Sequence, residues 1–128
     1  MWKLYDYVDD RNRNSFAEWT RGLQKIQRIK LRSKLDDLQK FGPELPPGIL
    51  IKTEVEYIYK LKVQGNPKLR PMLCFGPVGN EKAFTLLIGA KEISWDFVPQ
   101  FADTEAGIRR KKVLNNPNKH RKEHERIN

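Results

Sequence analysis

Glu54-Val55-Glu56-Tyr57-Ile58-Tyr59-Lys60-Leu61-Lys62-Val63 alternates apolar and charged residues over ten positions. Side chains on a strand point to opposite faces in turn. Val55, Tyr57, Tyr59, Leu61 and Val63 therefore share one face, and Glu54, Glu56, Lys60 and Lys62 share the other. Ile58 is the exception. The pattern predicts a half-buried strand over 54–63 with a wet, cationic outer side.

Reading on from this strand, Gln64–Lys68 holds Gly65-Asn66-Pro67 and predicts a turn. Leu69–Phe75 predicts the next strand, with Pro71 marking an edge or bulge because it cannot donate to a ladder. Gly76–Asn80 turns again, and Lys82–Ile88 is apolar on both faces, as a central strand would be. Three strands joined by short turns predict an antiparallel meander whose apolar face is covered by helices.

Reading back from it, Glu44–Leu50 is a proline-rich loop. Phe41-Gly42-Pro43 stops a helix. Ahead of that stop, Phe16, Trp19, Leu23 and Ile26 recur at helical spacing, as do Leu31, Leu35 and Leu38. The five-residue step from Ile26 to Leu31 breaks the phase. It predicts a helical hairpin, with a short helix ending near Gly22 and a longer one beginning soon after. Ser15-Phe16-Ala17-Glu18 fits a capping box with Ser15 as the cap. Trp2–Val8 predicts a first strand. Beyond Gly89 the pattern weakens. Asp103 or Thr104 is placed to cap a short helix through Leu114. From Arg109 to Arg126 the chain holds eight Lys and Arg against two Glu, which predicts a basic, mobile tail. The expected organisation is one α+β domain over 1–114, with an N-terminal strand, a two-helix hairpin on an antiparallel sheet and a short C-terminal helix. Residues 115–128 form the tail.

Composition bounds the function. The chain has 128 residues, 25 Lys and Arg, 16 Asp and Glu, and a formal charge of +9. This balance favours an anionic partner. Cys74 is the only cysteine, which excludes an intrachain disulfide, and no Cys/His spacing suits zinc. His120 and His124 alone make a poor metal site. No apolar run approaches the ~20 residues of a spanning helix, and the reading is of a soluble cytoplasmic protein without membrane association. No phosphate-cradling glycine loop, dinucleotide fingerprint or serine elbow is present.

The residues left for chemistry are cations and aromatics. Lys60 and Lys62 project from one face of their strand, and by parity Arg70 leaves its own strand toward the same side. Lys91 follows the third strand and closes the group. Like charges cluster unfavourably unless an anion sits among them, although most exposed lysines have no site role at all. Trp95 and Phe97 lie just beyond, where an aromatic ring can stack on a base or simply pack. Arg28 and Lys30 belong to a basic run on the second helix that suits RNA phosphates, or a solvated helix face.

Taken in order, Tyr59-Lys60-Leu61-Lys62-Val63, a short turn, Leu69-Arg70-Pro71-Met72-Leu73-Cys74-Phe75 and then Leu87-Ile88-Gly89-Ala90-Lys91-Glu92 resemble the RelE/HigB toxins of type II toxin–antitoxin systems. The helical stretch Phe16–Gly42 is similar to that of their phage-derived HigB-like branch. The likeness spans roughly residues 2–114. It implies a RelE-like fold and a ribosome-dependent endoribonuclease that cuts mRNA in the ribosomal A site, without metal or cofactor. In that chemistry the ribose 2′-hydroxyl attacks the neighbouring phosphate. Lys60 and Lys62 match the basic positions that hold phosphate or act as base, and Arg70 matches the arginine that stabilises the transition state. Lys91 matches a basic position assigned to phosphate stabilisation or leaving-group protonation. Phe97 stands where the family often carries Tyr or His, and a phenyl ring stacks but moves no proton. The implied partners are mRNA, the ribosome and a small antitoxin protein. The alternative from another class is a non-enzymatic basic RNA- or ribosome-binding prophage protein with the same fold.

Overall fold

The computed structural model describes residues 1–128 and is an α+β fold. Strand β1 (Lys3–Tyr7) leads into helices α1 (Ser15–Arg21) and α2 (Lys25–Phe41), followed by a 3-10 turn at Gly42–Glu44. Strands β2 (Leu50–Lys52), β3 (Tyr59–Leu61), β4 (Lys68–Leu69), β5 (Met72–Phe75), β6 (Ala83–Ile88), β7 (Lys91–Ile93) and β8 (Asp96–Val98) come next. Helices α3 (Ala102–Asn115) and α4 (Pro117–His120) and strand β9 (Arg121–Glu123) complete the chain. One mixed sheet runs β2-β3-β5-β6-β1-β9, and a small one runs β4-β7-β8. The meander β3-β5-β6 is antiparallel, whereas β1 lies parallel to β6, with Lys3 opposite Ala83 and Asp6 opposite Leu86. A parallel neighbour requires a crossover, which α1 and α2 begin.

Every residue of β6 is buried, as its unbroken apolar run requires. Leu31, Leu35 and Leu38 of α2 and Phe16 of α1 pack with Leu61, Leu73, Phe84 and Leu86 on one face of the sheet. Ala102, Ala106 and Val113 of α3 pack with Ile58, Met72, Cys74 and Leu87 on the other. Each buried Leu or Phe contributes roughly 1.5–3 kcal/mol, so both faces are held. The α1/α2 break falls at Gly22, as the phase slip at Leu31 predicts. At the far end of α2, Gly42 has φ +55, and a Cβ there would lie 2.3 Å from Nε1 of Trp2. The indole occupies the space of a side chain, so only glycine fits there, and its positive φ takes the backbone out of the helix.

Several expectations are corrected. The strand predicted over 54–63 is regular only at Tyr59–Leu61, with one further bridge from Val63 to Leu69. Residues 53–58 form the hairpin loop joining β2 to β3. The Thr53 amide donates to Ile58 O at 2.9 Å, the Thr53 hydroxyl donates to the same oxygen at 2.9 Å, and Tyr57 has φ +69. Ile58 is no exception to the alternation, because its face is covered by α3. The sheet therefore has no uncovered side. The strand predicted over 69–75 is split at Arg70-Pro71. Pro71 has no amide to offer, the Arg70 amide donates to Ala90 O at 2.8 Å, and β4 pairs with β7 rather than with β3. The cap of α1 is Asn14, whose side chain accepts from the Ala17 amide at 3.0 Å; Ser15 is the first helical residue. Helix α3 starts at Ala102 after Phe101 in the left-handed region, with no side-chain cap from Asp103 or Thr104.

The largest correction concerns the tail. Residues 115–128 are packed, not free. Strand β9 pairs antiparallel with β1, and Ile127 is buried in the core on the α2 side. The buried Asp6 carboxylate holds this segment: it lies 2.8 Å from His124 Nδ1 and accepts from the Glu125 amide at 2.9 Å and from Asn14 Nδ2 at 2.7 Å. The domain boundary expected near 114 does not exist as a packing boundary.

Candidate functional site

Lys60 occupies the middle of β3, opposite Ile51 of β2 and Met72 of β5. Its side chain leaves the sheet on the α3 side, at the rim that α3 does not reach. Strand β7 places Glu92 opposite both Lys68 and Phe97. Directly opposed residues share a face, so Glu92, Lys68 and Phe97 converge there. Lys60 Nζ lies 3.8 Å from Glu92 Oε1 and 5.4 Å from the centre of the Phe97 ring. The ammonium is thus held between a carboxylate and an aromatic face.

Arg70 is 2 % exposed. Nη1 donates to Leu69 O at 2.8 Å and to Val63 O at 3.4 Å, and Nη2 lies 3.7 Å from Glu92 Oε2. Nε has no partner. Burial pushes the guanidinium pKa down and Glu92 pulls it back up; an arginine stays charged under such shifts. The structure thus revises the expected role of Arg70. It does not face solvent where a phosphate could be gripped bidentately. It braces the 63–69 turn and the back of Glu92.

The other predicted residues divide. Lys62 follows Lys60 by two and leaves on the same side by alternation, half-buried, with its amide donating to Ile49 O at 2.8 Å. Lys91 does not join the group. It neighbours Glu92 on β7, is opposed by Leu69 and Val98, and so points to the other face of the small sheet. Glu92 holds the place assigned to Lys91. Trp95 and Phe97 do meet Lys60: all three line one open cleft of about 510 Å³ that Lys52, Asp96 and Phe101 also border. Arg28 and Lys30 lie elsewhere, on α2 across the sheet. Arg28 donates to Leu23 O and borders a cleft with Arg21 and Arg126, while Lys30 borders another with Val63 and Gln64.

Glu92 and Lys68 are the site residues that sequence reasoning missed. Parity across a Lys91–Val98 hairpin would have found Glu92 beside Phe97, whereas Lys68 is brought in by the pairing of β4 with β7, for which the sequence carries no local signal. Two other groups are spoken for. Cys74 is buried and its thiol is pushed up to about 12 by desolvation, and His120 is buried with Nδ1 2.9 Å from Val8 O, stacked on Tyr7. No three His, Cys, Asp or Glu side chains are grouped so as to hold a metal ion, and no helix is long and apolar enough to cross a membrane.

Comparison of the chain with protein-family models, with curated proteins and with solved structures finds no match in any of the three.

Proposed function

We propose that this chain is a metal-independent endoribonuclease of the RelE/HigB type, which cuts mRNA on the ribosome in the cytoplasm and is held in check by a small antitoxin. The observation that carries the reading is the Lys60–Glu92 pair, 3.8 Å apart, with Lys60 in the cleft bordered by Trp95 and Phe97 and Glu92 in the adjoining cleft that Trp95 also borders. Cleavage by the 2′-hydroxyl needs a proton acceptor, a proton donor and positive charge beside the phosphate. Phe97 can supply neither proton step, and Glu92 can. The Glu92 carboxylate takes the 2′-hydroxyl proton as that oxygen bonds to phosphorus. Lys60 and Lys62 offset the charge on the equatorial oxygens. The bond to the 5′-oxygen breaks as Lys60 gives it a proton, leaving a 2′,3′-cyclic phosphate and a 5′-hydroxyl. Proton return from Glu92 to Lys60 resets the pair. Arg70 acts as a positioning residue behind Glu92.

The buried Arg70 also favours a second reading, a non-enzymatic RNA- or ribosome-binding protein, because the cation expected to face the phosphate is already spent on main-chain oxygens. One experiment separates the two. Purified protein is added to a translating extract and mRNA 5′ ends are mapped. Codon-phased cuts that fall at least a hundredfold in Glu92→Gln and Lys60→Ala support the nuclease. Intact mRNA with salt-sensitive ribosome binding hands the function to the binding reading.

A further inference from the structure

Helix α2 packs Leu31, Leu35 and Leu38 against the sheet, yet Ile26 and Ile29 stand exposed on its other side. Ile26, Ile29 and Ser33 follow one another by three and four residues, so they form one outward stripe. Lys25 lies along one edge of the stripe, and Lys30 and Lys34 along the other. An open groove of about 340 Å³ runs beside it, where Ile29 and Val63 lie between Lys30 and Lys34. Apolar side chains left exposed in one patch mark a contact with something outside the chain. The lysines favour an acidic occupant, and the apolar stripe favours one with a ring or alkyl chain to bury.

The chain itself carries such a part. Trp95 stands at the tip of the β7–β8 turn, 95 % exposed, and Phe101 stands on the same cleft, 67 % exposed. Neither ring belongs to a core cluster. Trp95 is held at φ +73, which a tryptophan adopts at a cost, and the ring returns nothing to the fold of its own chain. Three carboxylates, Glu54, Asp96 and Asp103, border the cleft with these rings, and Asp96 directly follows Trp95. Lys52 and Lys60 are there too, but Lys60 is already paired with Glu92. None of Glu54, Asp96 and Asp103 forms an ion pair within the chain, and nor do Lys25, Lys30 and Lys34.

We infer that copies of this chain associate head to tail, with Trp95 of one copy seated in the α2 groove of the next. The indole packs on Ile29 and Val63 and meets Lys30 and Lys34 with its faces. Asp96 and the carboxylates beside it pair with lysines of the groove's rim. Charge selects this arrangement over a two-fold one. The chain carries +9, so copies repel one another unless the carboxylate-bearing tip of one faces the basic groove of the next. A contact between two different surfaces leaves one tip and one groove free at the ends, unless the rotation closes a ring. This contact does not depend on the proposed chemistry. Because Trp95 also borders the Lys60 cleft, docking covers that cleft in each copy that donates its tip.

The test is sedimentation velocity of nucleic-acid-free protein over a wide range of concentration, as wild type, Trp95→Ala and Ile29→Asp. Both substituted residues are exposed, so both variants keep the fold, which circular dichroism checks; Lys30→Glu serves as a second groove variant. The average mass of the wild type should rise with concentration, and less so in high salt. Each variant alone should associate at least about tenfold more weakly. Mixed in equal amounts, Trp95→Ala and Ile29→Asp should form a pair and nothing larger, because the intact tip of the second fits the intact groove of the first. A wild type that stays monomeric throughout would overturn the inference, whatever other acidic partner the groove then takes. So would a Trp95→Ala variant that associates like the wild type. Two variants that remain apart on mixing would overturn it as well, since that result belongs to a two-fold contact.

Discussion

Glu92 is the residue on which the site turns. One carboxylate faces Lys60 at 3.8 Å and Arg70 at 3.7 Å. Removing one partner of a buried pair leaves the other uncompensated, which costs about 3–5 kcal/mol. Arg70→Ala should therefore lower the unfolding free energy by that order, read as a lower urea midpoint. Lys60→Ala, at the rim where 21 % of its side chain is exposed, leaves Glu92 its Arg70 partner and should cost less stability than Arg70→Ala, about 1 kcal/mol, while abolishing cleavage. Equal destabilisation by both would contradict the distinction between brace and reactive group. Glycine 89 gives a second test. A Cβ there would fall 2.0 Å from the Trp19 ring, so Gly89→Ala should destabilise by about 2 kcal/mol or more through overpacking, read as a lower Tm. Cys74 gives a pH test. Its folded thiol keeps its proton up to about 12, whereas an unfolded thiol ionises from about 8.5. Its contribution is therefore constant below about pH 8.5 and is lost as pH rises toward 12. Urea melts of wild type and Cys74→Ala should converge between pH 7 and pH 10, and a gap that stays constant would count against this burial. Single residues were legible in sequence where alternation along one strand applied, as for Lys60 on β3, whereas both expected caps fell on the wrong residue, Asn14 capping α1 and no side chain capping α3. Residues were not legible where a backbone oxygen elsewhere in the fold claimed the side chain, as Leu69 O and Val63 O claim Arg70.

At the scale of elements, the readable ones carry a long unbroken signal. The phase slip at Leu31 places the α1/α2 break, and the apolar run over 82–88 places β6 at the centre of the sheet. The unreadable ones are short and owe their form to partners remote in sequence. Strand β2 has three residues and exists because β3 lies beside it. The β7–β8 turn lacks the Asn-Gly signature, so Lys91–Val98 gives no hairpin signal. Strand β9, Arg-Lys-Glu, has no apolar alternation; it is fixed by β1 and by Asp6, from the opposite end of the sequence. Asp6→Ala should release the segment from β9 onward. Hydrogen exchange should then show loss of protection at Arg121–Glu123 together with the facing amides of β1, leaving β5 and β6 protected. Uniform loss across the sheet would mean that β9 is integral to the core rather than a strap upon it.

For the whole molecule, two packed faces change what the net charge can do. The sequence suggests a sheet with one bare cationic side, whereas α3 covers that side and leaves only its rim. The charge of +9 is then spread over separate surfaces, and Arg28 and Lys30 sit across the sheet from Lys60. Binding of a short single strand at the rim should engage about two or three phosphates, so the logarithm of the affinity should fall with the logarithm of salt at a slope near −2. A slope of −5 or steeper would require the α2 surface as well. The α+β class and the central meander were legible because they depend on local pattern; the bare face was misjudged because coverage depends on a helix packed after every strand of the meander.

The clasp between the two sheets passes through Glu92, which is also the group offered for proton transfer. A protein built this way cannot adjust the two properties separately. Substitutions at position 92 that alter reactivity will also loosen the join, and selection for silent variants of this chain should return misfolded ones at that position more often than well-folded, inactive ones.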